Sequence, residues 1–238
     1  MTMMNNNRIK PASRTGLVNE YYFSSKLAEI ARMREEGADV INLGIGSPDM
    51  APDPDVVSEL SRNASSDRNH GYQSYRGIPS LRQAFADWYR RYFGVTLDPS
   101  SEILPLMGSK EGIMHISMAF LDPGDEVLVP DPGYPAYSAA ALLAGGVVRK
   151  YSLTEENGWL PDIRAVEAGG TERVKIMWIN YPHMPTGTKA SAGLFEELVA
   201  FAQRNSILLC NDNPYSFILN DDHRSEEHTS ELQSPNTI

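Results

Sequence analysis

Cysteine is nearly absent: a single residue, Cys210, in 238. An internal disulfide is therefore excluded. Cys210 lies inside an apolar run and reads as a small core residue rather than a nucleophile. Positive charge is also scarce. The chain has 21 Lys and Arg against 31 Asp and Glu, a formal net charge of −10, which argues against a nucleic-acid-binding surface. No apolar stretch is long enough to span a membrane, and Met1 to Arg14 lacks the apolar centre of a signal peptide. A soluble, cytoplasmic protein is expected, with neither nucleic acid nor membrane as partner. The phosphate-binding signatures GxxxxGK[ST] and GxGxxG are missing too. No metal site is expected, since His223 and His228 fall in a stretch without apolar periodicity.

Hydrophobic residues make up 41% of the chain, enough for a packed core. The length allows one large domain or two small ones. The most informative stretch is Ile207-Leu-Leu-Cys-Asn-Asp-Asn-Pro-Tyr215. Its apolar run ends in Asp212, and Tyr215 follows three positions later. Such a run reads as a buried parallel strand, and ligands of open α/β sheets sit at the carboxyl ends of these strands. A carboxylate there can meet a buried cationic nitrogen. A phenol beside it can hydrogen-bond an oxygen of the same ligand. Taken alone, the stretch fits a plain strand end with an Asn-Pro turn better.

The surrounding pattern adds weight. Helices are predicted from Ser24 or Ser25 to a stop at Gly37, over Asp53 to Arg62, and from Pro79 to Gly94. A short strand is predicted over Asp39 to Leu43, followed by a glycine turn, Gly44 to Asp49. Strands are predicted at Ile103–Met107 (weakened by Pro105), Glu126–Pro130, Val147–Leu153, Lys175–Tyr181 and Ile207–Asp212. Gly108-Ser109-Lys110 opens a helix reaching Phe120, and a helix N-terminus after a glycine turn suits an anion. Plain helix capping explains that turn equally well. Asp131-Pro-Gly-Tyr134 is a rigid loop that can offer the Tyr134 ring face for stacking. Further helices are predicted over Ser138–Ala144 and after a Ser191 cap. This alternation implies an α/β fold with a mostly parallel sheet flanked by helices. It gathers Gly108 to Lys110, Tyr134, the Pro182–Gly187 loop, Asp212 and Tyr215 on one sheet edge.

These ordered motifs resemble a fold-type-I pyridoxal-phosphate enzyme of the class I/II aminotransferase family, from about Tyr21 to Asp221. Asn42-Leu-Gly-Ile-Gly-Ser-Pro-Asp49 resembles the substrate-side turn, which makes Gly46 a substrate-binding candidate. Tyr181-Pro-His-Met-Pro-Thr-Gly187 resembles the family's Tyr-Pro-Asn-Asn-Pro-Thr-Gly. The resemblance implies pyridoxal 5'-phosphate as cofactor. It implies that Gly108, Ser109 and Lys110 cradle the phosphate and that Tyr134 stacks on the ring. It gives Asp212 to the ring nitrogen and Tyr215 to the 3'-oxygen, and it sends Tyr72 to a neighbouring subunit's phosphate. The implied activity moves an amino group between an amino acid and a 2-oxo acid, in a homodimer. A carbon–sulfur lyase or decarboxylase on the same fold, or a non-catalytic binding module, are the alternatives.

One departure lies in the motif itself. Met184 stands where the family has an amide donor to the 3'-oxygen, so it is excluded as a cofactor donor. His183 beside it is expected to be structural. A second departure is an absence: the resemblance calls for a Schiff-base lysine after the Asp212–Tyr215 pair, and the last lysine of the chain is Lys189. No catalytic residue is therefore assigned, and the chain itself is expected to be inactive. The expected organisation is a flexible arm at 1–18, a small-domain remnant at 19–50, an incomplete cofactor-binding domain at 51–221, and a non-native or disordered tail at 222–238.

Overall fold

The computed structural model describes residues 9–18, 22–44, 46 and 50–218. Its centre is a four-stranded, all-parallel sheet of β1 (Glu126–Asp131), β2 (Val147–Ser152), β3 (Val174–Ile179) and β4 (Leu208–Asn211), in the order β2-β1-β3-β4. The two inner strands are buried almost end to end, as expected for parallel strands covered on both faces. Alternate residues divide between the faces. Val127, Val129, Ile176, Trp178 and Cys210 pack with Ile113 of α4 (Ser109–Phe120) and Tyr137 of α5 (Pro135–Ala144). Leu128, Met177, Ile179 and Leu209 pack with α6 (Ile163–Ala168) and with Leu194, Leu198 and Phe201 of α7 (Ala192–Asn205).

Local signals set the helix ends. Ser191 Oγ accepts from Leu194 N at 3.2 Å and starts α7. Pro135 occupies the first turn of α5, so that helix begins three residues before the predicted Ser138. Asp162 caps α6, a helix the sequence reading did not anticipate. Three further helices precede the sheet: α1 (Tyr22–Glu35), α2 (Pro54–Ala64) and α3 (Pro79–Phe93). Inside α1, Ser25 donates its hydroxyl to the Tyr22 carbonyl instead of capping the helix.

Two expected strands are absent. Residues 103–107 carry no ladder, because Pro105 has no N–H to give and no described strand lies beside them. Residues 39–43 are irregular, and the Val40 carbonyl accepts from the Arg34 guanidinium at 2.8 and 3.2 Å. The chain divides into two compact units: one of residues 1–18 and 76–238, the other of 19–75. Residues 51–75 thus group with 19–50, not with the sheet. Residues Ser13–Leu17, expected in a flexible arm, form a 3-10 helix beside α5. The expected tail at 222–238 lies outside the described residues.

Candidate active site

Asp212 leaves the carboxyl end of β4 with its backbone fixed on both sides. Its N–H donates to Ile179 O at 3.0 Å, and its carbonyl accepts from Asn180 Nδ2. The side chain is half-buried, and its Oδ2 accepts from the Tyr137 hydroxyl at 2.9 Å. Burial raises the Asp212 pKa above the usual carboxylate range, and the Tyr137 hydrogen bond works against that rise. A desolvated carboxylate with one neutral donor suits a cationic partner.

Tyr134 stands at the N-cap of α5, one turn before Tyr137, and the two rings meet edge-on at 5.7 Å. The preceding glycine permits this presentation. A Cβ at Gly133 would lie 2.5 Å from Pro130 O. Across the site, Lys110 Nζ lies 5.8 Å from the Tyr134 ring centroid, within cation–π range. Lys110 belongs to the first turn of α4, whose N-cap Gly108 has φ 106° and provides no side-chain cap. The orphan N–H groups of that turn favour an anion. Glu111, the acid nearby, already accepts from Met107 N at 2.5 Å. Lys110, Tyr134, Tyr137 and Asp212 thus form a chain of contacts, and Gly108 and Ser109 precede Lys110 at the same helix end. An anion-seeking helix end, an aromatic face and a cation-seeking carboxylate match the phosphate, ring and ring nitrogen of pyridoxal phosphate.

Tyr215, Tyr72 and Gly46 are the remaining predicted residues. Tyr215 is half-buried in a turn where Asn213 Oδ1 accepts from Ser216 N and Oγ, at 3.3 and 2.7 Å. Among the described residues no hydrogen bond joins its phenol to Asp212. Tyr72 and Gly46 are exposed and belong to the 19–75 unit. Two residues went unnoticed in the sequence. Tyr137 is one; its position three after Tyr134 on a Pro-started helix was the available signal. Asn180 is the other, and its amide joins the Asp212 carbonyl to the Met184 N–H, which reaches Asn180 Oδ1 at 2.8 Å.

The structural residues behave as expected. His183 is 2% exposed, its Nδ1 lies 2.8 Å from Thr186 Oγ1, and burial lowers its pKa. Burial pushes the Cys210 thiol up to about 12, which keeps it unreactive. Among the described residues no cluster of three metal-ligating side chains occurs, and no helix is long and apolar enough to cross a membrane.

Known proteins resemble this chain in sequence and in fold. An LL-diaminopimelate aminotransferase of Moorella thermoacetica is 46% identical over 215 residues, covering 90% of this chain and 54% of the relative. Another from Desulforudis audaxviator is 48% identical, over 86% of this chain and 52% of the relative. Among solved structures, substrate-bound BacF of Bacillus subtilis superposes with a TM-score of 0.87 at 31% identity, over 97% of this chain and 58% of that one. Aspartate aminotransferase of Thermus thermophilus with maleate gives 0.85 at 29% identity, over 97% of this chain and 59% of that one. The chain therefore spans about half the length of the curated relatives it matches. The profile of "Aminotransferase class I and II" matches residues 38–233, past residue 221 where the motif resemblance stops. A match over most of the chain, onto a fold of the same kind, means that this chain belongs to the class I and II aminotransferase family.

Proposed function

We propose that this chain is the cofactor-binding part of an amino acid aminotransferase. The transferred amino group moves between an amino acid and a 2-oxo acid. The relatives named above favour a diamino dicarboxylic acid of the LL-diaminopimelate type as the amino acid. The family depends on pyridoxal phosphate. That cofactor supplies, when bound, an electron-withdrawing ring that stabilises negative charge at the amino acid's α-carbon. The single observation carrying the reading is the Asp212 carboxylate at the end of β4, held by Tyr137 within one contact of Tyr134.

The chain's residues divide the work. Asp212 holds a proton on the ring nitrogen by offering it a desolvated anion. Tyr134 covers one ring face and keeps water from it. The α4 N-terminus, with Gly108, Ser109 and Lys110, takes the phosphate. Tyr215 gives its phenol to the 3'-oxygen, a contact that Met184 leaves to it alone. Gly46 lies in the substrate-side turn. Tyr72 is fully exposed in the single chain, which supports its reaching a second subunit's site in a homodimer. The sheet unit is the large domain of the enzyme, and a cytoplasmic location suits its small-molecule substrates. A carbon–sulfur lyase or decarboxylase uses the same cofactor, and no named relative favours either.

Titrating the 238-residue chain with pyridoxal phosphate tests the proposal. Saturable binding is expected, and Asp212→Asn should weaken it about a hundredfold, the scale for breaking a buried charge pair. With no lysine beyond Lys189, borohydride should leave no adduct on one defined lysine, and no 2-oxo acid should form from an amino acid. Equal binding by the wild type and Asp212→Asn would sink the cofactor assignment. Turnover with a single labelled lysine would sink the expected inactivity of this chain.

A further inference from the structure

The hydrogen bond between Tyr137 and Asp212 has a built geometry on both sides. Tyr137 is 1% exposed, and its ring lies on the Trp178 indole at 5.1 Å with an interplanar angle of 6°. Its other neighbour, Tyr134, meets it edge-on. The phenol thus has little freedom to turn away. Asp212 is equally constrained, since its N–H and carbonyl are taken up by Ile179 and Asn180. Only the carboxylate torsion is left to settle, and the Tyr137 hydroxyl settles it by binding Oδ2 at 2.9 Å. Among the described residues no other donor reaches the carboxylate. Trp178 Nε1, also buried, has no partner among them, so the indole serves as a packing platform and does not compete for Asp212.

We propose that Tyr137 is a positioning residue for the cofactor site: its hydroxyl holds Asp212 ionised, with Oδ2 occupied and Oδ1 left for the ring nitrogen. This rests on the cofactor reading given above. The supporting balance is visible at Asp212. Burial favours its neutral form, and among the described residues the Tyr137 bond is the one contact that favours the charged form. Tyr137 remains a donor throughout, because burial and the neighbouring carboxylate push its own pKa far above the usual phenol range. A hydroxyl that cannot ionise near neutral pH donates to the carboxylate and adds no second negative charge beside it. Tyr137 touches no substrate atom in this scheme and acts through Asp212 alone.

Tyr137→Phe removes the hydroxyl and keeps the ring on Trp178. Tyr151→Phe is the control. Tyr151 is another buried phenol, donating to Trp178 O at 2.7 Å, and its loss removes a core hydrogen bond without touching Asp212. Two measurements on the full chain separate the outcomes. The first follows the Asp212 carboxyl by carbon-13 NMR in the absence of cofactor. Its midpoint should move up by about one pH unit in Tyr137→Phe, the scale for losing a hydrogen bond to a charged group, and stay put in Tyr151→Phe. The second follows the ring nitrogen of nitrogen-15-labelled pyridoxal phosphate. Its deprotonation should shift to lower pH in Tyr137→Phe only. An unmoved Asp212 midpoint, or equal shifts in both variants, overturns the proposal. Wild-type chain that binds no pyridoxal phosphate overturns the cofactor reading, and the positioning role with it. Binding with an unmoved ring-nitrogen titration overturns the positioning role alone.

Discussion

The helices α2 and α7 are written in the same amphipathic pattern and meet different fates. In α2, Val56, Val57 and Leu60 are 61%, 48% and 70% exposed, and the described residues of the 19–75 unit include none that is buried. In α7, Leu194, Leu198 and Phe201 are buried against β3 and β4. Both helices carry side-chain caps, from Asp53 and from Ser191. Pattern and cap decide which face a helix offers. Whether that face contributes stability depends on a surface to receive it. The sheet supplies such a surface through four strands whose alternate residues serve both faces.

Phe195→Ala, at a fully buried position of α7, should cost about 4 kcal/mol, while Leu60→Ala on α2 should stay within about 0.5 kcal/mol. Chemical denaturation of both variants measures this, and equal losses would erase the distinction. A second contrast uses charge. Glu126 is 8% exposed and bonds both Arg149 and Arg173, so Glu126→Gln should cost roughly 3 kcal/mol. Glu59, bonded to Arg62 on the exposed face of α2, should be replaceable by Gln with no measurable change in denaturation midpoint.

The smallest effect concerns pH and sharpens the role of the 182–187 loop. Burial lowers the His183 pKa in the folded chain below its ordinary value of 6.5. The neutral imidazole is thus the folded form. Its contribution is present above about pH 6.5 and is lost as pH falls through the lower folded value. Melting temperatures should fall by about 2 °C more between pH 7 and pH 5 in the wild type than in His183→Asn. Parallel curves would mean that His183 is protonated without strain.

Much of the sheet was legible because parallel strands buried on both faces must be continuously apolar. Val127-Leu128-Val129 and Ile176-Met177-Trp178-Ile179 announce themselves for that reason. Asp212, at the exit of the similarly apolar β4, was legible because polarity changes abruptly there. Residues 103–107 misled because an apolar run reports burial preference and says nothing of whether a neighbouring strand is present to pair with it. Tyr137 was missed for the opposite reason. Its aromatic ring fits a core role, and its hydroxyl acquires a purpose only when a residue 75 positions away arrives beside it. Asn180 escaped similarly: its amide bonds backbone groups on two other segments, which leaves no periodic trace.

The flat stack of Tyr137 on Trp178 also has an optical consequence. Two nearly parallel aromatic chromophores, stacked 5.1 Å apart in a chiral interior, exchange excitation and rotate near-ultraviolet light strongly. Of the three tryptophans, Trp178 is the one stacked on the partner of Asp212. The dichroism of this stack therefore reports whether Tyr137 keeps the seat from which it bonds Asp212, so the fold carries its own gauge of the site.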